Sequence, residues 1–273
     1  MRSAWEDDPQ RPFRRYLSKV PEVTAFFWIV KLLVSAAGEP VTDLLSTTLG
    51  IGLTITTMLM STLLAVVLLV QISVPRYVPW LYWLAVVLSG LAGTLLTDNL
   101  VDIFDVPPVG AAITFAGLLL GAFALWHATE RTLSIHTVDT PRREAFYWLA
   151  VFFTFAFGTA AGGLGGFPYG VVALACATLL VGAGLAYRFL RLGGVLAFWS
   201  AFVVTQPLGI AIGELLAQPA GAGGLGLGAA TTSAATLTAV VAAVAYLSAS
   251  HRDQPSLDNA TRHVTARGRE RAG

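Results

Sequence analysis

Apolar runs of about 20 residues recur along most of the chain, separated by short polar breaks, as in helices that cross a bilayer. The pattern predicts eight helices, at about 22–38, 49–71, 78–97, 107–129, 143–162, 167–187, 193–216 and 227–249. Once these runs are set aside, no stretch long enough for a soluble domain remains. The predicted class is therefore all-α, a polytopic membrane protein with eight transmembrane helices. Its single membrane domain covers residues 21–250, between an N-terminal segment, 1–20, and a charged tail, 251–273, that reads as disordered. The opening residues mix acids and bases and lack a short apolar stretch with a small-residue cleavage site, so they do not read as a signal peptide.

The polar breaks alternate in character. Arg76 follows the second helix, Arg131, Arg142 and Arg143 the fourth, and Arg188 and Arg191 the sixth. The breaks after the first, third, fifth and seventh helices carry no Lys or Arg. Both ends are basic, with Arg2, Arg11, Arg14, Arg15 and Lys19 before the helices and Arg252, Arg262, Arg267, Arg269 and Arg271 after them. Sixteen of the 17 basic residues thus fall on one side. The positive-inside bias then puts both termini in the cytoplasm and requires an even number of spans in a bacterial inner membrane. Carboxylates mark the other side: Glu39, Asp43, Asp98, Asp102, Asp105 and Glu214 lie at or beyond the outer helix ends.

Aligning the odd helices on a tryptophan exposes a period. Trp28, Trp83, Trp148 and Trp199 are each followed ten residues later by a glycine: Gly38, Gly93, Gly158 and Gly209. Six residues on stand Val34, Ser89, Thr154 and Thr205, and fifteen on stand Asp43, Asp98, Gly163 and Glu214. The coincidences recur once per two-helix unit, so the chain reads as four tandem repeats, about 21–75, 76–140, 141–192 and 193–250. Each unit holds two spans, so all four insert in the same direction, as in parallel-repeat transporters. On an ideal helix, plus eleven and plus fifteen lie about 20° and 60° from the tryptophan, which places Trp28, Glu39 and Asp43 on one stripe. The glycine lies beside that stripe, where it admits a neighbouring helix.

The four units, with Lys19-Val-Pro-Glu-Val-Thr and Trp28…Gly38-Glu39…Asp43 opening the first, resemble a bacterial family of membrane proteins built from a repeat of unknown function. The resemblance covers residues 19–249 and implies the eight-helix repeat architecture without an activity. The third unit departs from it at Gly163, so a four-fold ring of carboxylates is incomplete.

Lys31 is the sharpest oddity, a cation inside FFWIVKLLVSAAG, where insertion costs roughly 2.5–3.5 kcal/mol. It either snorkels to an interface or meets a carboxylate of another helix or a wet cavity beside Glu39. Direct contact with Glu39 is not expected, because eight residues of helix separate them by about 12 Å. Glu39, Asp43, Asp98 and Glu214 are either solvated helix ends or a cluster that concentrates cations, and their oxygen chemistry suits protons or hard divalent ions. Gly38-Glu39-Pro40 and Thr205-Gln206-Pro207 read either as helix breaks whose freed carbonyls would serve a ligand or as kinks whose carbonyl a neighbouring helix satisfies. Cys176 stands alone, which leaves no disulfide or thiolate cluster. No phosphate-binding loop and no nucleophile–base pair is visible, so neither an enzyme, a cofactor nor a nucleic-acid partner is expected. The expectation is a small secondary transporter or exporter of a cation or small solute. Its pathway residues would be Lys31, Glu39, Asp43, Asp98, Thr205, Gln206 and Glu214. The alternative is a non-transporting scaffold or accessory subunit, and a homo-oligomer fits either.

Overall fold

The computed structural model describes residues 18–164, 166–190, 193–250 and 252–253. The expectations for the tail and for Arg2, Arg11, Arg14, Arg15, Arg191, Arg262, Arg267, Arg269 and Arg271 fall outside the described residues. Eight long helices form: α1 Ala25–Asp43, α2 Leu53–Ser73, α3 Pro79–Asp98 and α4 Pro108–Glu130 in the first half. The second half holds α5 Pro141–Gly162, α6 Tyr169–Phe189, α7 Gly194–Ala217 and α8 Gly228–Ser250. All eight are long and apolar enough to span a bilayer, so the chain is a multi-pass membrane protein. Proline opens α3, α4 and α5, where its missing N–H has no helical partner to lose.

The helices are arranged as a ring within a ring. The first helices of the units, α1, α3, α5 and α7, pack in that cyclic order and close with α7 against α1. Each second helix packs chiefly on the first helix of the following unit: α2 on α3, α4 on α5, α6 on α7, and α8 back on α1. Between 44 and 67% of the most apolar stretch is buried in the inner helices, against 6 to 33% in the outer ones. The outer helices present Leu69, Leu120, Leu174 and Val241 outwards, as an environment of lipid tails permits.

The repeated glycines are the points where neighbouring inner helices touch. A Cβ on Gly209 would lie 2.2 Å from the Ser35 Cβ, one on Gly158 2.3 Å from the Gln206 Cγ, and one on Gly93 2.9 Å from the Phe155 Cβ. Ser35, Phe155 and Gln206 are all the seventh residue after their unit's tryptophan, so one contact is repeated around the ring. The α1–α3 seam is looser, because the seventh residue there is Gly90; Gly38 meets only the Thr94 Oγ1, at 3.4 Å. A second repeated feature lies beyond the helices. Units one and two both end their first helix in a π-helical turn, Leu44–Thr48 and Asn99–Ile103, starting sixteen residues after the tryptophan.

Pro40 and Pro207 do not break their helices: α1 and α7 run through them. The inner ring compensates. The Ala36 carbonyl, left without its usual donor by Pro40, faces α7 so closely that a Cβ on Gly213 would lie 2.2 Å from it.

Candidate functional site

The axis of the inner ring is built in layers that follow the repeat. One residue before the tryptophan stand Phe27, Tyr82, Tyr147 and Phe198, all buried, with the Tyr82 and Tyr147 hydroxyls 2.5 Å apart. Three after it stand Lys31, Val86, Val151 and Phe202, also buried. The next layer holds Ser35, Gly90, Phe155 and Gln206, and the one beyond it Glu39, Thr94, Thr159 and Ile210. Here Thr94 and Thr159 share a hydrogen bond of 3.1 Å between α3 and α5. The end that carries the arginines is thus closed by aromatic rings, and the end that carries the carboxylates is lined by hydroxyls and small residues.

Lys31 sits where these two halves meet and is fully buried. It neither snorkels to an interface nor meets a carboxylate; among the described residues it has no ion-pair partner. Its ammonium donates to the Ser35 Oγ at 2.9 Å and to the Gln206 Oε1 at 3.1 Å. It also lies 4.2 Å from the centroid of the Phe155 ring and 4.7 Å from that of Phe202, within cation–π range. Phe155 belongs to α5, which stands diagonally across the ring from α1, so the ammonium reaches the axis. Ser35 also donates to the Gln206 Oε1, at 2.6 Å, while the buried Gln206 Nε2 has no acceptor among the described residues. The close approach of α1 and α7 at Gly209 is what brings Lys31 and Gln206, 175 residues apart, into contact.

Glu39, Asp98 and Glu214 are half-buried at the carboxylate end, where Glu39 feels the charges of Asp98, Glu214, Asp43 and Asp102. They come from units one, two and four. Unit three supplies no carboxylate, but Tyr169 at the start of α6 lies against Glu214 and near Glu39. Among the described residues no three His, Cys, Asp or Glu side chains form a metal-holding group. Asp43 is exposed and accepts from Thr47 on its own helix. Thr205 bonds the Ala201 carbonyl of its own helix at 2.6 Å and lines an apolar crevice of about 270 Å³ with Trp28, Leu32, Leu180 and Leu208. Thr205 therefore stands apart from the axial group, and exposed Asp43 adds only its charge near Glu39.

A polar cluster near the opposite end escaped the sequence reading. Lys19 and Glu144 form a buried ion pair of 2.6 Å, and Glu144 also accepts from the Gln71 Nε2 at 3.0 Å. Lys19 donates in addition to the Ile72 carbonyl at 2.9 Å, and the Ser18 hydroxyl donates to the Ile135 carbonyl at 2.9 Å. The stretch before α1 is thereby tied across units one to three. Nearby, Tyr77 donates to Asp253, and burial together with that carboxylate pushes its phenol well above the usual range. The aromatic layer, by contrast, had a signal in the sequence: all four residues preceding the repeat tryptophans are Phe or Tyr.

A profile described as a repeat of unknown function, DUF347, matches the chain three times, over residues 26–77, 81–132 and 197–253. The matches cover units one, two and four, together more than half of the chain, and the chain belongs to that repeat family. Unit three, which lacks the carboxylate, is unmatched yet has the same two-helix form and place in the ring. No curated protein and no solved structure matches the chain.

Proposed function

We propose that this member of the DUF347 repeat family is a small secondary transporter that moves a cation or small solute along the axis of its inner ring. Both termini lie in the cytoplasm of a bacterial cell in this reading, and the carboxylate mouth faces outwards. The observation that carries it is Lys31. A cation at mid-membrane costs roughly 2.5–3.5 kcal/mol, and this one is held by two phenyl faces and two neutral oxygens. Apolar residues would hold α1 against α7 at lower cost, so the group is better explained by a task than by packing. The mouth supports the same reading. Glu39, Asp98 and Glu214 gather on a face without Lys or Arg and raise the local concentration of cations, with Thr94 and Thr159 level with Glu39 and between the other two carboxylates and Lys31. Parallel repeats supply the elements whose rocking opens each end in turn. No residue set for covalent chemistry accompanies this path, and the reading includes neither an enzyme nor a cofactor.

One observation favours a second reading, a scaffold or accessory subunit: the inner end of the axis is filled by Phe27, Tyr82, Tyr147, Phe198 and Phe202. Flux separates the two. Purified protein in liposomes, carrying a proton gradient in either direction, is assayed with a panel of inorganic and organic cations. Saturable flux of at least one cation is expected, falling more than about tenfold in Lys31→Met, a loss of about 1.4 kcal/mol of coupling. Absence of flux across the panel, with thermal unfolding unchanged, removes the transport reading in favour of the scaffold.

A further inference from the structure

We propose that the Lys31 ammonium is a tethered stand-in for the transported ion, and that its site takes a small primary ammonium compound with a neighbouring oxygen, exchanged for a proton. The inference rests on the transport reading above and names its substrate class. The ammonium occupies a cation site complete in all but a counter-charge, with oxygens of Ser35 and Gln206 at 2.9 and 3.1 Å and the faces of Phe155 and Phe202 at 4.2 and 4.7 Å. Phenyl faces suit an organic ammonium, whereas hard metal ions require about six or more oxygens. Beside it the Gln206 Nε2 is buried with no acceptor among the described residues, a donor that an oxygen two or three bonds from the amine would satisfy. The room available is what the lysine head vacates, which restricts the ligand to a few heavy atoms.

Exchange conserves charge within the membrane. Lys31 gives its proton to water at the carboxylate end, the neutral amine withdraws, and the ammonium ligand takes the vacated oxygens and rings. A proton leaves for each cation that binds. The titratable and charged groups on the packed helices are Glu39 and Asp43 on α1, Tyr82 and Asp98 on α3, and Arg142, Arg143, Glu144 and Tyr147 on α5. Glu214 on α7 and Tyr246 on α8 complete the set, and none of them bonds to Lys31.

The test titrates ethanolamine hydrochloride into full-length protein in detergent, against potassium chloride at equal ionic strength. Indole fluorescence reports binding, and a pH indicator in weak buffer reports protons. Saturable binding with proton release is expected for the wild type. Lys31→Met removes the competitor and is expected to bind at least about tenfold more tightly with no proton release, since a minor competent state lowers apparent affinity by its population. Phe202→Leu in the Lys31→Met background, where no tethered ammonium shares the ring, is expected to weaken binding about five- to tenfold. Binding without proton release in the wild type, or loss of binding in folded Lys31→Met, overturns the assignment. If Lys31→Met does not fold, the wild-type proton count decides. Failure of ethanolamine to bind while the liposomes still move another cation overturns the substrate class alone; loss of all flux overturns the transport reading itself.

Discussion

At the scale of residues, two buried lysines are held in opposite ways. Lys19 has a carboxylate at 2.6 Å, and Lys31 has only neutral oxygens and rings. Removing one partner of a buried ion pair strands the other charge, so Glu144→Ala is expected to destabilise by about 3–5 kcal/mol. Lys19→Met combined with Glu144→Leu is expected to recover most of that, and reversible unfolding in mixed micelles measures both. At the other site, Gln206→Leu deprives Lys31 of an oxygen and is expected to destabilise by about 1–3 kcal/mol. In a Lys31→Met background the same change should cost clearly less, and the double-mutant cycle gives the difference. Lys31 was conspicuous in the sequence because a charge in an apolar run is costly wherever it points. Its partners were not legible. Gln206 is distant in the chain, and nothing local announces that α7 closes against α1.

At the scale of elements, the glycines decide how near the inner helices stand. The Gly209→Ala methyl would lie 2.2 Å from the Ser35 Cβ and 2.9 Å from its backbone carbon, so the seam must open. Overpacking of this kind typically costs about 1–3 kcal/mol. Gly38→Ala meets only the Thr94 hydroxyl at 3.4 Å and is expected to stay within about 0.5 kcal/mol of wild type. Thermal unfolding of the two variants side by side checks the ranking, and equal losses would contradict the seam geometry. The tryptophan–glycine period was readable, because close helix packing in a membrane requires small residues at fixed spacing. The continuity of α1 and α7 through Pro40 and Pro207 was not, since proline's effect depends on what a neighbouring helix offers the freed carbonyl.

At the scale of the whole molecule, closure of the ring turns four similar units into one axis with distinct ends. The span count and the fold class were legible from hydropathy alone; the cyclic order was not, because every outer helix is apolar and could pack on either neighbour. Thiol cross-linking tests the closure. In a Cys176→Ala background, cysteines replacing Phe26 and Tyr246, whose rings pack against each other with centroids 5.5 Å apart, are expected to be joined by a short bifunctional thiol reagent, linking α1 to α8 within one chain. Cross-linking only between chains would contradict the cyclic order.

Whether the axis opens to both faces is the central claim, and Ser35 is the residue from which to read it. Ser35 is fully buried beside Lys31, between the hydroxyl-lined half and the aromatic half. The decisive measurement is labelling of Ser35→Cys, in the Cys176→Ala background, by a small membrane-impermeant thiosulfonate applied to one face of oriented vesicles at a time. Alternating access predicts slow labelling from both faces, accelerated from the arginine-bearing face when Phe198→Ala thins the aromatic layer. A folded Ser35→Cys protein whose introduced thiol is labelled from neither face would show a sealed axis and contradict transport.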